Sequence, residues 1–155
     1  MASAAPGQPA SDWERERNAR GWREREVVLP APPRRENLVE FFVSATTTFR
    51  FFIDARSITT GDDGVVRYTL VARSAEGVEN ISYEGIRCEE KGYRIYAAGA
   101  REGWTRIEAP WRKIEPRSIQ RWRNALQREY FCPEGFPVRS AEEGVRALRS
   151  PANPN

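Results

Sequence analysis

Cys88 and Cys132 are the only cysteines in a chain of 155 residues, and 43 residues separate them. That spacing is not the C-x-x-C of a redox motif, and two Cys without a single His cannot build a usual zinc site. A structural disulfide is favoured over a pair of free buried thiols. The bridge would tie the end of a predicted strand to the end of a predicted helix. In loop-entropy terms, closing about 45 residues contributes on the order of 4 kcal/mol, a large share of a small domain's stability. It would also place the chain in an oxidising compartment.

The strand signals lie on both sides of Cys88. Leu38–Ser44 and Thr47–Ile58 are rich in Phe, Val, Ile and Thr, and Phe49, Phe51 and Ile53 alternate with Arg50, Phe52 and Asp54. One face is expected in the core and the other mostly in water. Thr60-Gly-Asp-Asp-Gly64 predicts a hairpin turn, from which Val65–Arg73 resumes with Val66, Tyr68, Leu70 and Ala72 on one face. Further strands are expected over about Val78–Cys88 and Tyr93–Ala98, and a loop or short edge strand between Ala100 and Ile114. Pro116 suits a first helical turn, and Ile119, Trp122, Leu126 and Tyr130 recur at helical spacing up to Phe131. Arg121 and Arg123 flank Trp122 on what reads as a solvated face.

Capping boxes at Ser11/Glu14 and Ser140/Glu143 predict short helices over about Asp12–Arg20 and before Pro151. Leu-Pro-Ala-Pro-Pro within residues 27–36 predicts an extended connector. The fold class is therefore α+β: an antiparallel meander sheet of four to five strands, a C-terminal amphipathic helix packed on it, and short flanking helices. Residues 1–10 are expected to be a disordered leader, 11–150 a single domain and 151–155 a disordered tail.

Without His, the chain has no Ser-His-Asp or Cys-His nucleophile and no His-containing metal triad. A glycan hydrolase built on two carboxylates, such as Asp54 with Glu84, is the enzymatic reading left. Acids on neighbouring strands are more often partners for Arg. Gly61-Asp-Asp-Gly64 lacks the acidic spacing of an EF-hand and the Lys of a phosphate loop. No catalytic residue, cofactor or metal site is expected.

Net charge is +3, unevenly spread: residues 101–128 carry eight basic and three acidic side chains, whereas 59–90 carry three Arg and seven acids. Trp104, Arg106, Trp111, Arg112, Lys113 and Arg121 interleave aromatics with positive charge, as binders of single-stranded nucleic acid do. An amphipathic helix with a solvated face accounts for much of the same pattern. These six residues are the candidate binding surface for an anionic polymer.

Phe-Arg-Phe-Phe-Ile-Asp54, Asp63-Gly-Val-Val-Arg-Tyr-Thr-Leu70, Asn80-Ile-Ser-Tyr-Glu-Gly-Ile-Arg-Cys88 and Tyr130-Phe-Cys-Pro133 together resemble the family named after a cryptic neisserial protein. The resemblance runs from about Trp13 to Leu148. It implies an exported protein of a Gram-negative bacterium, periplasmic or envelope-associated, and it transfers no catalytic residue. Some members are lipid-anchored; no lipobox cysteine stands in this sequence. The opening Met-Ala-Ser-Ala-Ala-Pro-Gly-Gln-Pro-Ala reads as the leader of a mature exported chain whose signal peptide has been removed. The expected function is a non-catalytic binding or interaction module for an envelope protein or polymer. Nucleic acid is disfavoured as a partner because that compartment holds little of it.

Overall fold

The computed structural model describes residues 21–100, 103–116 and 121–150. The helix expected over Asp12–Arg20, both terminal segments and the start of the amphipathic helix at 117–120 lie outside the described residues.

Strands β1 (Leu38–Phe41), β2 (Arg50–Asp54), β4 (Val65–Arg73), β5 (Glu79–Arg87), β6 (Gly92–Ala100) and β7 (Gly103–Arg106) form an antiparallel sheet in the order β1-β2-β4-β5-β6-β7. Two-residue strands β3 (Thr59–Thr60) and β8 (Arg112–Lys113) pair with β4 and β6. The described residues form eight strands rather than the four or five expected. The extra ones are short edge pairings with no room to display a period of two. Strand β2 ends earlier than its apolar run because Asp54 accepts a hydrogen bond from the Arg56 N–H and turns the chain into a 3-10 turn over Ala55–Ser57. The β3–β4 hairpin closes at Gly61–Gly64, and of its two glycines only Gly64 takes positive φ.

On one face, Val66, Tyr68 and Leu70 of β4, Phe51 and Ile53 of β2, and Ile86 of β5 pack against Leu126, Tyr130, Phe131 and Leu148. The helical residues come from α1 (Arg121–Ala125), which runs on as a π-helical turn over Leu126–Phe131, and from α2 (Ala141–Arg149). The disulfide Cys88–Cys132 joins the residue after β5 to the residue after the π turn, with its Cα atoms 5.5 Å apart. Helix α2 begins at its predicted capping box, where Ser140 Oγ accepts from the Glu143 N–H as expected, whereas the Glu143 carboxylate reaches past Ser140 to the Arg139 N–H.

The opposite face is not wet. All seven residues from Val65 to Val71 are buried, which one covered face could not achieve. Residues 21–34, without regular secondary structure, lie across this second face as a strap: Val27 and Leu29, together with Trp104 of β7, pack on Tyr83, Tyr96 and Ala97.

Candidate functional site

A cavity of about 720 Å³ opens between the helix-covered face of the sheet and α1. Trp122 stacks on Phe51 with centroids 5.3 Å apart, and Phe51 on Phe49 at 6.2 Å, so three aromatic rings in series make one wall. Leu70, Ala72, Ile95 and Ile107 continue the apolar lining. Phe49 and Ile107 remain 40% and 38% exposed, marking the apolar mouth. The size falls within the range of ligand sites, and the lining is predominantly apolar, as in such sites.

Among the described residues, the charged groups that line this cavity are Glu84, Arg121 and Arg123. Glu84 and Arg123 are both buried and form a bidentate pair, Nε to Oε1 and Nη2 to Oε2, each at 3.0 Å. Ser82 Oγ donates to Glu84 Oε2 at 2.7 Å and the Tyr68 hydroxyl lies 3.4 Å from Oε1, so the carboxylate is fully engaged. Burial, reinforced by the Glu84 charge, pushes the Tyr68 phenol well above its ordinary pKa and keeps it neutral. Arg121 differs: it is exposed and forms no ion pair among the described residues.

Arg123 stands three residues before Leu126 and seven before Tyr130, in the middle of the buried stripe rather than on a solvated face. That spacing was the signal that its guanidinium points inward, where only a carboxylate such as Glu84 makes burial tolerable.

The strap face holds a second polar cluster. The Glu24 carboxylate accepts from Arg67 Nη2 at 2.9 Å, Arg94 Nη1 at 2.8 Å, Trp111 Nε1 at 3.0 Å and the Tyr96 hydroxyl. Asp63 accepts from the same Arg67 Nη2 at 2.8 Å and from the Arg25 N–H at 2.9 Å, while Trp22 Nε1 donates to the Asp63 carbonyl at 2.8 Å. Trp104 Nε1 donates to the Pro30 carbonyl. These contacts tie the strap to β4, β6 and the loop between β3 and β4. Burial raises the Asp63 pKa, but the Arg67 guanidinium and the backbone N–H groups outweigh it and hold the carboxyl below its ordinary value. The contribution of Asp63 to stability is therefore present above the unfolded carboxyl pKa of about 4 and is lost as pH falls through the lower folded value. Asp63→Asn is expected to flatten the acid limb of a plot of urea midpoint against pH; an acid limb like that of the wild type would show that this contact does not titrate.

The six residues of the expected anionic-polymer surface are not brought into one patch. Trp111 is 1% exposed and anchors Glu24, and Trp104 is half-buried against the strap, so neither indole is free to stack on a base. Arg106, Arg112, Lys113 and Arg121 are exposed. Directly paired strand residues project to the same face. Arg106, opposite Ala97, shares the strap face, as does Lys113 opposite Gly92, whereas Arg112, opposite Tyr93, shares the helix face. Arg121 lines the cavity.

The carboxylates Asp54 and Glu84 do not converge. Strand β4 lies between their strands, and Asp54 alternates with the core residue Ile53, so it projects to the face opposite Glu84. Such a pair cannot put an acid and a base on one glycosidic bond. Among the described residues, no three His, Cys, Asp or Glu side chains cluster as metal ligands, and no helix is long and apolar enough to cross a membrane.

The model of the CNP1-like family matches residues 17–149. The chain belongs to the CNP1-like family. No curated protein and no solved structure matches it. In this CNP1-like chain, the Tyr83-Glu-Gly-Ile-Arg-Cys88 element that carries the resemblance alternates between the two faces of β5, and each residue has a physical role. Glu84 neutralises Arg123, Ile86 fills the helix-side core and Cys88 makes the disulfide. On the strap side, Tyr83 packs on Tyr96, and the Arg87 guanidinium lies 3.9 Å over the Trp22 ring. Gly85 leaves room for Tyr96, whose hydroxyl would stand 2.5 Å from any Cβ placed there. A bulge between Tyr83 and Glu84, where Ala97 and Ile95 are the successive partners, inserts Tyr96 towards Glu24.

Proposed function

We propose that this CNP1-like protein is an exported, non-catalytic binding module, and that the cavity beneath α1 is where it binds an apolar ligand. The observation that carries this reading is the cavity itself: aromatic and aliphatic walls, a ligand-sized volume, and two buried charges that satisfy each other instead of awaiting a reaction. The Cys88–Cys132 bridge supports an oxidising, extracytoplasmic location in the envelope or periplasm. The reading is tested with N-phenylnaphthylamine, a neutral apolar dye that brightens when it leaves water. The wild-type chain is expected to enhance its fluorescence saturably, and Ala72→Phe, which places a ring in the cavity, to abolish the effect. A dye that stays dark with the wild type ends the reading.

Exposed Arg106, Arg112, Lys113 and Arg121 also leave an anionic-polymer or envelope-protein surface as a second reading. Its support is weaker, because the four cations are split between faces and the aromatic component is buried.

A further inference from the structure

The net charge of the cavity lining narrows the ligand. Glu84 and Arg123 cancel, since each oxygen of the carboxylate meets one nitrogen of the guanidinium at 3.0 Å. Among the described lining residues, Arg121 is thus the one uncompensated charge, and it is exposed where Glu84 and Arg123 are buried. Asn80, Ser82, Ser44, Thr46 and Thr47 add only neutral polar groups. Space that is apolar within and singly positive at an exposed residue is complementary to a molecule with a hydrocarbon body and one anionic end. A neutral oil would leave Arg121 unused, and a cation would be repelled by it. A polyanion would find one cation and a greasy wall.

We propose that the cavity holds the hydrocarbon chain of a single-chain anionic amphiphile, with the chain among Phe49, Phe51, Leu70, Ile95 and Trp122 and the anionic head at Arg121. This rests on the cavity being the binding site and adds the chemical class of its ligand. A fatty-acid carboxylate and the phosphate of a single-chain phospholipid share that chemistry.

Calorimetric titration of the full chain tests the inference with octanoate, decanoate, decanol and a decanoyl lysophosphatidylglycerol. Burying a methylene contributes about 0.8 kcal/mol, so decanoate is expected to bind about fifteenfold more tightly than octanoate. Arg121→Glu is expected to weaken decanoate at least about tenfold while leaving decanol within about twofold. Ala72→Phe, with an unchanged fold by circular dichroism, is expected to block both decanoate and decanol. Tighter binding of decanoate than of the lysophospholipid identifies the free carboxylate as the source, and the reverse order identifies the phospholipid. If decanol binds as well as decanoate and Arg121→Glu changes neither, the anionic head is overturned while the apolar site survives. If neither decanol nor decanoate binds, or Ala72→Phe leaves both unaffected, the amphiphile and the cavity reading fall together.

Discussion

Replacing Cys88 and Cys132 by Ser lowers the unfolding free energy by about 4 kcal/mol, the loop-entropy cost of freeing a connection of this length. For a chain of this size the loss corresponds to a fall of about 15 °C in the thermal midpoint. Its distribution is as informative as its size. The bridge is the covalent link between the end of β5 and the π turn, and the helix before that turn carries Trp122 and Arg123 of the cavity wall. Hydrogen exchange in the serine variant is expected to rise more at 121–131 than in β4, which is paired on both sides by β2 and β5. Equal thermal midpoints for the oxidised protein and the double serine variant would sink the claim that the bridge stabilises the fold.

Glu84→Ala costs about 3–5 kcal/mol, because it leaves the Arg123 guanidinium buried without its carboxylate. The loss comes from stranding a charge, not from the worth of the pair. Glu84→Leu combined with Arg123→Met is therefore expected to recover most of the stability lost by Glu84→Leu alone. Chemical denaturation of the two single variants and the double variant reads the coupling directly. Additive losses would show that the two side chains act independently.

The sheet was legible where its strands are long. β4 announces itself by alternation, β5 and β6 by their short spacing through Glu89-Glu-Lys-Gly92, and α2 by the Ser140/Glu143 box. The strap was not, for a reason visible in Glu24. It sits in the run Trp22-Arg-Glu-Arg-Glu, which locally resembles a solvated surface, and its partners Arg67, Arg94, Tyr96 and Trp111 stand 43 to 87 residues away. No local period encodes a contact at that distance. Trp111 misled for the same reason: beside Arg112 and Lys113 it reads as an exposed stacking platform until the strap is seen to cover it. The cavity is harder still, since a void has no residues of its own and its walls come from β2, β4, β5, β6, α1 and the loops between them. Arg123 was the readable clue, a charge at the centre of an apolar helical stripe.

The strap also sets a schedule. A chain is made from its N-terminus, so Trp22, Glu24, Val27 and Leu29 emerge first, whereas the hydroxyl, guanidinium and indole groups that hold them belong to β4, β6 and the segment just before β8. At about 5–20 residues per second, Glu24 waits roughly 4 to 17 seconds for Trp111. Trp22 and Glu24 meet their first partners, Asp63 and Arg67, 41 and 43 residues further along the chain, and Glu24 gains its full set of donors only with Trp111. The segment made first is thus among the last to be fully secured, because its anchoring carboxylate is completed only once β4, β6 and Trp111 have all been made.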